Sequence, residues 1–442
     1  MKLSQLTLCI LAAFAAAPVQ AIDLLDAYRA AQGQDAVFAS ARAAQQAGQE
    51  KLSQGRSQLL PNVNLSANTT YNALSAQYGG VSMPDRQYNS SGVGVSLVQP
   101  LFRQQAWLTY TESELQVAIS DAQYKLAEQD LVLRVAQSYF DVLIAQDSVQ
   151  LAEAQKQAIS EQLQQAKRNF EVGTATITDT YEAQARFDLV EAQQISAQSN
   201  LEIKKRSLQQ ITNELPGELR QLGKELKLDA PLPADVEKWV EDARQHNMQI
   251  AIAEASSQLA EKEVSRNLGG HLPTLDLVAN YSKSASSATY AGTFVLGASD
   301  ITNKTIALQL NVPLFSGGVT QSKYREAEAG REKAVQDLEN AWRTVGVQTR
   351  QAYLGVVSGI SQVKALQQAL KSSESLLEAS KLGQGVGVRT NIDVLNAQQQ
   401  LFSTRRDLYQ AEYNYLLSRL RLKAAVGTLS DEDIASVNQA LR

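Results

Sequence analysis

The sequence predicts a mainly helical chain that also lends strands to a membrane, built twice from helix, strand, strand, long helix and helix. Three observations carry this prediction. Landmarks in the first half recur in the second in the same order, residues 101–172 contain neither Gly nor Pro, and short segments before that stretch change from helical periodicity to a period of two.

Composition bounds the answer. The 442 residues are 44% hydrophobic, 20% charged and 6% aromatic, which excludes disorder, collagen and a multi-span helical membrane protein. No apolar run after residue 21 approaches the ~20 residues that a spanning helix needs, so any membrane crossing falls to strands. Only nine prolines, with abundant Ala, Gln and Leu, point to long helices. A formal charge of -5 lacks the basic excess of a nucleic-acid binder. The single cysteine, Cys9, leaves the rest of the chain without a thiol for a disulfide, a zinc site or a nucleophile.

Taken in order, residues 1–21 read as a secretory signal: Lys2, an apolar stretch from Leu6 to Ala17, then Pro18 and the small-residue ending Val19, Gln20, Ala21. Cleavage there removes Lys2 and places the chain beyond a bacterial inner membrane. The first repeat, 22–222, opens on a helix expected over 24–57, which a Leu-Pro step ends. Beyond it Val63, Leu65, Ala67, Thr69 and Tyr71 alternate with Asn62, Asn64, Ser66, Asn68 and Thr70, a strand with one apolar face. A turn with Gly79, Gly80 and Pro84 follows, then a second alternation through Val93, Val95 and Leu97.

The stretch 101–172 would reach roughly 100 Å as a helix. Within it Leu115, Ile119, Ala122 and Leu126, then Leu133, Ala136, Phe140 and Leu143, step by four and three, a stripe that asks for coiled-coil neighbours. A connection rich in Gly and Pro spans 215–233, with 223–231 as the linker proper.

The second repeat, 232–428, runs in parallel. Leu60-Pro61 recurs as Leu272-Pro273, Pro100-Leu101-Phe102 as Pro313-Leu314-Phe315, and Val172-Gly173 as Val386-Gly387, at offsets of 212, 213 and 214. Its elements are a helix over 235–268, strands through Leu275 to Tyr281 and Ile306 to Val312 with a Ser-, Ala- and Gly-rich loop between, and a helix over 319–382. Gly330, Gly346, Gly355 and Gly359 there imply bending or close packing. Residues 429–442 close the chain.

Strands cross a membrane only in closed barrels, and four cannot close one, so the strands must be pooled with those of other copies. The polar row of Asn, Ser and Thr suits a wetted lumen; a soluble sheet with one solvated face reads the same way locally. The signal segment and the long helices favour the pore.

The run Val312, Pro313, Leu314, Phe315, Ser316, Gly317, Gly318, with Gly270 to Leu277 and Gly387, Val388, Arg389, Thr390, Asp393, Val394, Leu395, resembles TolC-type outer membrane efflux proteins over essentially the whole mature chain. The resemblance implies a homotrimer whose twelve pooled strands form a barrel in outer membrane lipid and whose helices form a tunnel across the periplasm. A mixed equatorial region would hold 215–233 and 428–442. It also implies a passive exit duct for drugs or for type I secreted proteins, with no cofactor. The duct would be served by a periplasmic adaptor and an inner membrane transporter of the ABC, RND or MFS class.

Each half breaks between its long and short helices, at 173–178 and 383–390. Thr176 with Asp179, and Thr390 with Asp393, fit capping boxes, and capping alone accounts for them locally. By resemblance these turns form the periplasmic entrance. Asp393 matches an acidic ring position able to bind blocking cations, and Arg389, Thr178 and Asp179 match the constraining network. Asn396 stands where the family has a second acidic residue and Gln384 where it has an aromatic one, which implies a looser, less acidic gate.

Two other readings compete. An enzyme finds little support: the two histidines, His246 and His271, lack ligand spacing, and Gly383, Gly385 and Gly387 lack a preceding strand and a phosphate-binding lysine. A periplasmic coiled-coil adaptor would need one hairpin and no duplicated strand pairs.

Overall fold

The computed structural model describes residues 22–75, 77–82, 84–223, 226–291 and 294–441. The expected signal segment 1–21 with Cys9, linker residues 224 and 225, and residue 442 lie outside them.

The chain forms two compact units, one of residues 44–121 and 252–339, the other of the flanking segments up to 43, 122–251 and from 340 onward. The elements are α1 (Leu24–Gln34), α2 (Ala36–Ser57), β1 (Asn62–Leu74), β2 (Gln77–Tyr78), β3 (Val81–Ser82), β4 (Arg86–Phe102), α3 (Gln104–Glu171), α4 (Ile177–Thr212), α5 (Val236–His246), α6 (Met248–Leu268), β5 (Thr274–Ala291), β6 (Phe294–Asn311), α7 (Val319–Gly385), α8 (Asn391–Val426) and α9 (Asp431–Asn438).

The two opening helices expected over 24–57 and 235–268 are each two helices. Asp35 and Asn247, at an offset of 212, break them. The Asp35 carboxylate accepts from the Phe38 amide at 2.7 Å, and the Asn247 carbonyl accepts from the Gln249 amide at 2.8 Å. A short polar side chain that caps the next helix competes with continuation of the previous one. Each break is tied down: Arg134 donates to both Asp35 oxygens at 3.0 Å, and the Asn247 amide donates to the Ala425 carbonyl at 2.7 Å.

In the first unit β1, β4, β5 and β6 form one antiparallel sheet in that order. The registers Val63↔Leu97, Leu97↔Ala279 and Ala279↔Ile306 put the apolar rows on one face. That face is bare, with Leu65 73% and Ile306 82% exposed. The segment expected as a loop between the second pair of strands is instead mostly strand: β5 and β6 pair Ser286 with Ser299 before a register shift and run on to Ala291 and from Phe294. Ser and Ala fit a ladder whose partner strand is in place, and tertiary pairing overrides their weak preference. Nearby, α2 approaches α3 closely. A Cβ on Gly48 or Gly55 would overlap Ser120 or Ser113, so a glycine faces a serine at the same seven-residue interval on both helices.

The second unit holds the hydrophobic core: Leu131, Val135, Tyr139, Phe140 and Leu143 of α3 pack with Leu408, Tyr415, Leu416 and Leu420 of α8 and with Ala27 and Ala31 of α1. Helix α7 is unbroken through its glycines, and Gly359 brings it against Tyr415, 3.6 Å from where a Cβ would stand. Tyr413 donates to Asp147 at 2.9 Å inside this core. Burial pushes the Asp147 carboxyl up to about 6; burial, reinforced by Asp147, pushes Glu412 up to about 7. The last helix is stitched to the first, because Asn438 accepts from the Leu24 amide at 3.1 Å and donates to Asp23 at 3.0 Å. Short bridges join Ile22 to Leu219 and Leu222 to Leu441. No helix among the described residues is long and apolar enough to cross a membrane.

Candidate gate at the helix turns

The turns that follow α3 and α7 share one local construction. Gly173 and Gly387 take φ of 79° and 78°, the left-handed conformation that lets a helix end and reverse. The Thr174 amide donates back to Asn169 at 2.8 Å, and the Val388 amide to Gly383 at 2.8 Å. Both expected capping boxes then start the next helix. The Asp179 and Asp393 amides donate to the Thr176 and Thr390 hydroxyls at 3.2 Å, and each carboxylate accepts the threonine amide at 2.9 Å. One device thus appears in both halves, which is what capping requires of a Thr-x-x-Asp spacing.

The second turn carries more. The Arg389 guanidinium lies 3.8 Å from Asp393. Hydrogen bonds from the Thr390 amide, its hydroxyl and the Arg389 charge hold the Asp393 carboxyl below the usual carboxylate range. It stays ionised at neutral pH. Gly383 makes room for this arrangement, since a Cβ there would stand 2.7 Å from Arg389 Cγ. Its place in a glycine-rich turn signals the reversal and not this service.

Asn396 is exposed, and its side-chain oxygen accepts from Arg186 of α4 at 3.0 Å; Arg186 also donates to Gln399. Sequence reasoning misses Arg186, because nothing there marks it apart from other helix-face arginines. Gln384 stays within its own turn, donating to Asn391 at 3.3 Å. Thr178 is exposed, and Asp179 serves its own helix start. Among the described residues no ion pair joins the two turns.

Beneath the turns, Ile159, Leu163 and Ala166 of α3, Ala183, Phe187 and Val190 of α4, and Leu395 of α8 form a small core. A cleft beside it is lined by apolar side chains such as Ala152, Val190 and Phe402 and by polar ones such as Gln155, Arg186 and Arg406. Among the described residues, Thr180 Oγ1, Asn391 Nδ2 and Gln398 Oε1 are buried and find no hydrogen-bond partner. Such groups are costly unless something outside the protomer satisfies them.

The model of the family described as outer membrane efflux protein matches residues 27–214 and again 239–428. The chain is 34% identical to the outer membrane protein TolC of Escherichia coli (strain K12) over 96% of its own length and 85% of that protein. It is likewise 34% identical to the alkaline protease secretion protein AprF of Pseudomonas aeruginosa, over 94% of its length and 87% of that chain. Among solved structures, the outer membrane protein VceC of Vibrio cholerae matches with a TM-score of 0.77 at 17% identity, covering 91% of this chain and 96% of that one.

Proposed function

From the premise that the chain belongs to the outer membrane efflux protein family, we propose that it is a passive exit duct. Three copies pool their strands into one barrel in the outer membrane, and their helices continue the passage through the periplasm. The observation that carries this reading is the sheet itself: β1 and β6 are both unpaired edges, one face is bare and apolar, and the other is lined by Asn64, Ser66, Asn68, Asn280 and Thr305. An exposed apolar sheet with two open edges is an aggregation hazard in water and a barrel segment in lipid.

Under this reading 22–222 and 232–428 are the two structural repeats, and 223–231 and 429–442 belong to an equatorial band. The turns at 173–176 and 387–390 stand at the periplasmic entrance. There Asp393 forms a threefold acidic ring, held by Arg389, with Thr178, Asp179, Gln384 and Asn396 around it. The unsatisfied atoms of Thr180, Asn391 and Gln398 support contacts between chains at this end. An acidic ring focuses negative potential and admits cations preferentially. No group in the duct performs chemistry. Energy comes from an inner membrane transporter through a periplasmic adaptor, and the cleft along α3, α4 and α8, lined by apolar and polar side chains alike, supports docking of an adaptor helix. The relative named for protease secretion favours type I export as one use of the duct.

Single-channel recording of the purified protein in a planar bilayer tests the proposal. A cation-preferring conductance blocked by multivalent cations from one side is expected. Folded, inserted protein that never conducts, with or without adaptor, overturns it.

A further inference from the structure

The bare face of the sheet is apolar up to a boundary and then turns basic. On β5 the outward row runs Leu275, Leu277, Ala279, Tyr281 and then Lys283; on β6 it runs Leu310, Leu308, Ile306 and then Lys304. The pairs Tyr281↔Lys304 and Lys283↔Thr302 make the two lysines diagonal neighbours on that face. Diagonal Cβ atoms on adjacent strands lie ~7–8 Å apart, a gap that one phosphate group bridges. The Lys304 ammonium sits 5.8 Å from the centroid of the Tyr281 ring, which fixes it at the upper edge of the apolar band. Among the described residues neither lysine forms an ion pair with a carboxylate. Asp300, the outward acidic residue of β6, stands two outward positions from Lys304 and is the diagonal neighbour of Lys283 on the hairpin side.

Two lysines against the single carboxylate of Asp300 leave this edge of the apolar band net positive, which an anion from outside offsets. Their position says what that anion belongs to. The ends of β1, β4, β5 and β6 near Asn62, Phe102, Thr274 and Asn311 lead to helices, whereas the lysines lie toward the β5–β6 hairpin. With the helices in the periplasm, an orientation that rests on the duct reading, the hairpin side faces out of the cell.

We infer that Lys283 and Lys304, with the Tyr281 ring beneath them, bind the phosphorylated headgroup of a glycolipid in the outer leaflet. The acyl chains of that lipid cover the band of Leu277, Ala279, Ile306 and Leu308. The ring and the aliphatic stems belong to the hydrocarbon boundary, and the ammonium groups to the phosphate layer.

The full-length protein in detergent is titrated with diphosphoryl lipid A and with the same lipid stripped of its phosphates. Binding of the phosphorylated lipid is expected to weaken about thirtyfold in K283Q/K304Q, from the attraction of two lysines to an anionic surface. K283R/K304R should retain it, and Lys333→Gln on α7, a lysine already paired with Asp337, should change nothing. Equal affinity of wild type and K283Q/K304Q, or of the phosphorylated and stripped lipids, overturns the site and leaves two lysines that merely reach for water. Displacement of the lipid by millimolar inorganic phosphate overturns the assignment to a lipid. Should K283Q/K304Q fail to fold, wild type and K283R/K304R against the two lipids still decide. Conductance of the same preparations keeps the two readings apart. Channels without lipid preference sink this inference alone, and lipid binding without channels sinks the duct.

Discussion

The Asp393 carboxylate accepts the Thr390 amide at 2.9 Å and flanks Arg389, so substitution can separate a cap from a charge. Asp393→Ala removes both and should destabilise the start of α8, because the Thr390 amide loses its capping acceptor. Asp393→Asn keeps an acceptor for the cap and removes the charge. Both variants should lose cation preference and one-sided block in bilayer recordings, while only the alanine variant loses stability. Unchanged selectivity in both would leave Asp393 as a cap alone. Asp147 offers a second test. Its carboxyl and that of Glu412 bind protons more tightly folded than unfolded, because burial raises them to about 6 and about 7. Their contribution is therefore full below about pH 4, where both states are protonated, and is lost as pH rises toward 7. Asp147→Asn still accepts the Tyr413 hydroxyl and escapes that loss. Its advantage over wild type should grow from near zero at pH 4 to at most about 3 kcal/mol at pH 7, because raising a carboxyl from about 4 to about 6 costs about 1.4 kcal/mol for each tenfold change in proton affinity. Thermal unfolding of both proteins across this range checks it, and parallel curves would rule the pair out.

Among the helices, the close approach of α2 to α3 makes a sharper demand on residue size than any hydrophobic stripe. Gly48→Ala or Gly55→Ala drives a methyl into Ser120 or Ser113 and should cost about 1–3 kcal/mol by overpacking. Gly330→Ala on α7, with nothing within 4 Å, should instead stabilise by up to about 1 kcal/mol. If all three behaved alike in denaturant titrations, glycine content alone and not helix approach would govern them. The contrast shows what a sequence carries at this scale. The period of two in 62–71, the glycine- and proline-free 101–172 and both Thr-x-x-Asp boxes are local patterns, and the elements follow them. The breaks at Asp35 and Asn247 are equally local, written in short polar side chains ahead of Phe38 and Ile250, but helical periodicity on both sides masks them. Gly383 under Arg389 and Arg186 on Asn396 depend on which helices meet, and no spacing within one helix reports that. The strand extension through Ser286 and Ser299 comes from pairing with a partner already in register, which composition alone does not express.

For the whole molecule the open edges decide the state of assembly. In the sheet β1 and β6 are separated by β4 and β5, three strand spacings of ~4.8 Å, or roughly 14 Å. A disulfide needs Cα atoms within ~7 Å, so a cysteine on β1 cannot reach one on β6 of the same sheet. In a closed barrel of three copies, however, β1 of one protomer lies beside β6 of the next. Because Cys9, in the expected signal segment, is the single cysteine of the sequence, Ser66→Cys with Thr305→Cys, both on the polar face, introduces a clean pair once that segment is removed. A short bifunctional thiol reagent should then join chains into a covalent trimer on a denaturing gel, with no larger ladder, because a ring of three leaves no free edge. Each single variant should stay monomeric after the same treatment. Dimers that never close, or a ladder beyond three, would mean that the edges pair in an open stack, and the polar row from Asn64 to Asn280 would then line no lumen. A closed trimer would account in one geometry for the two bare edges, the apolar outer face and the polar inner one, none of which a lone sheet in water can satisfy.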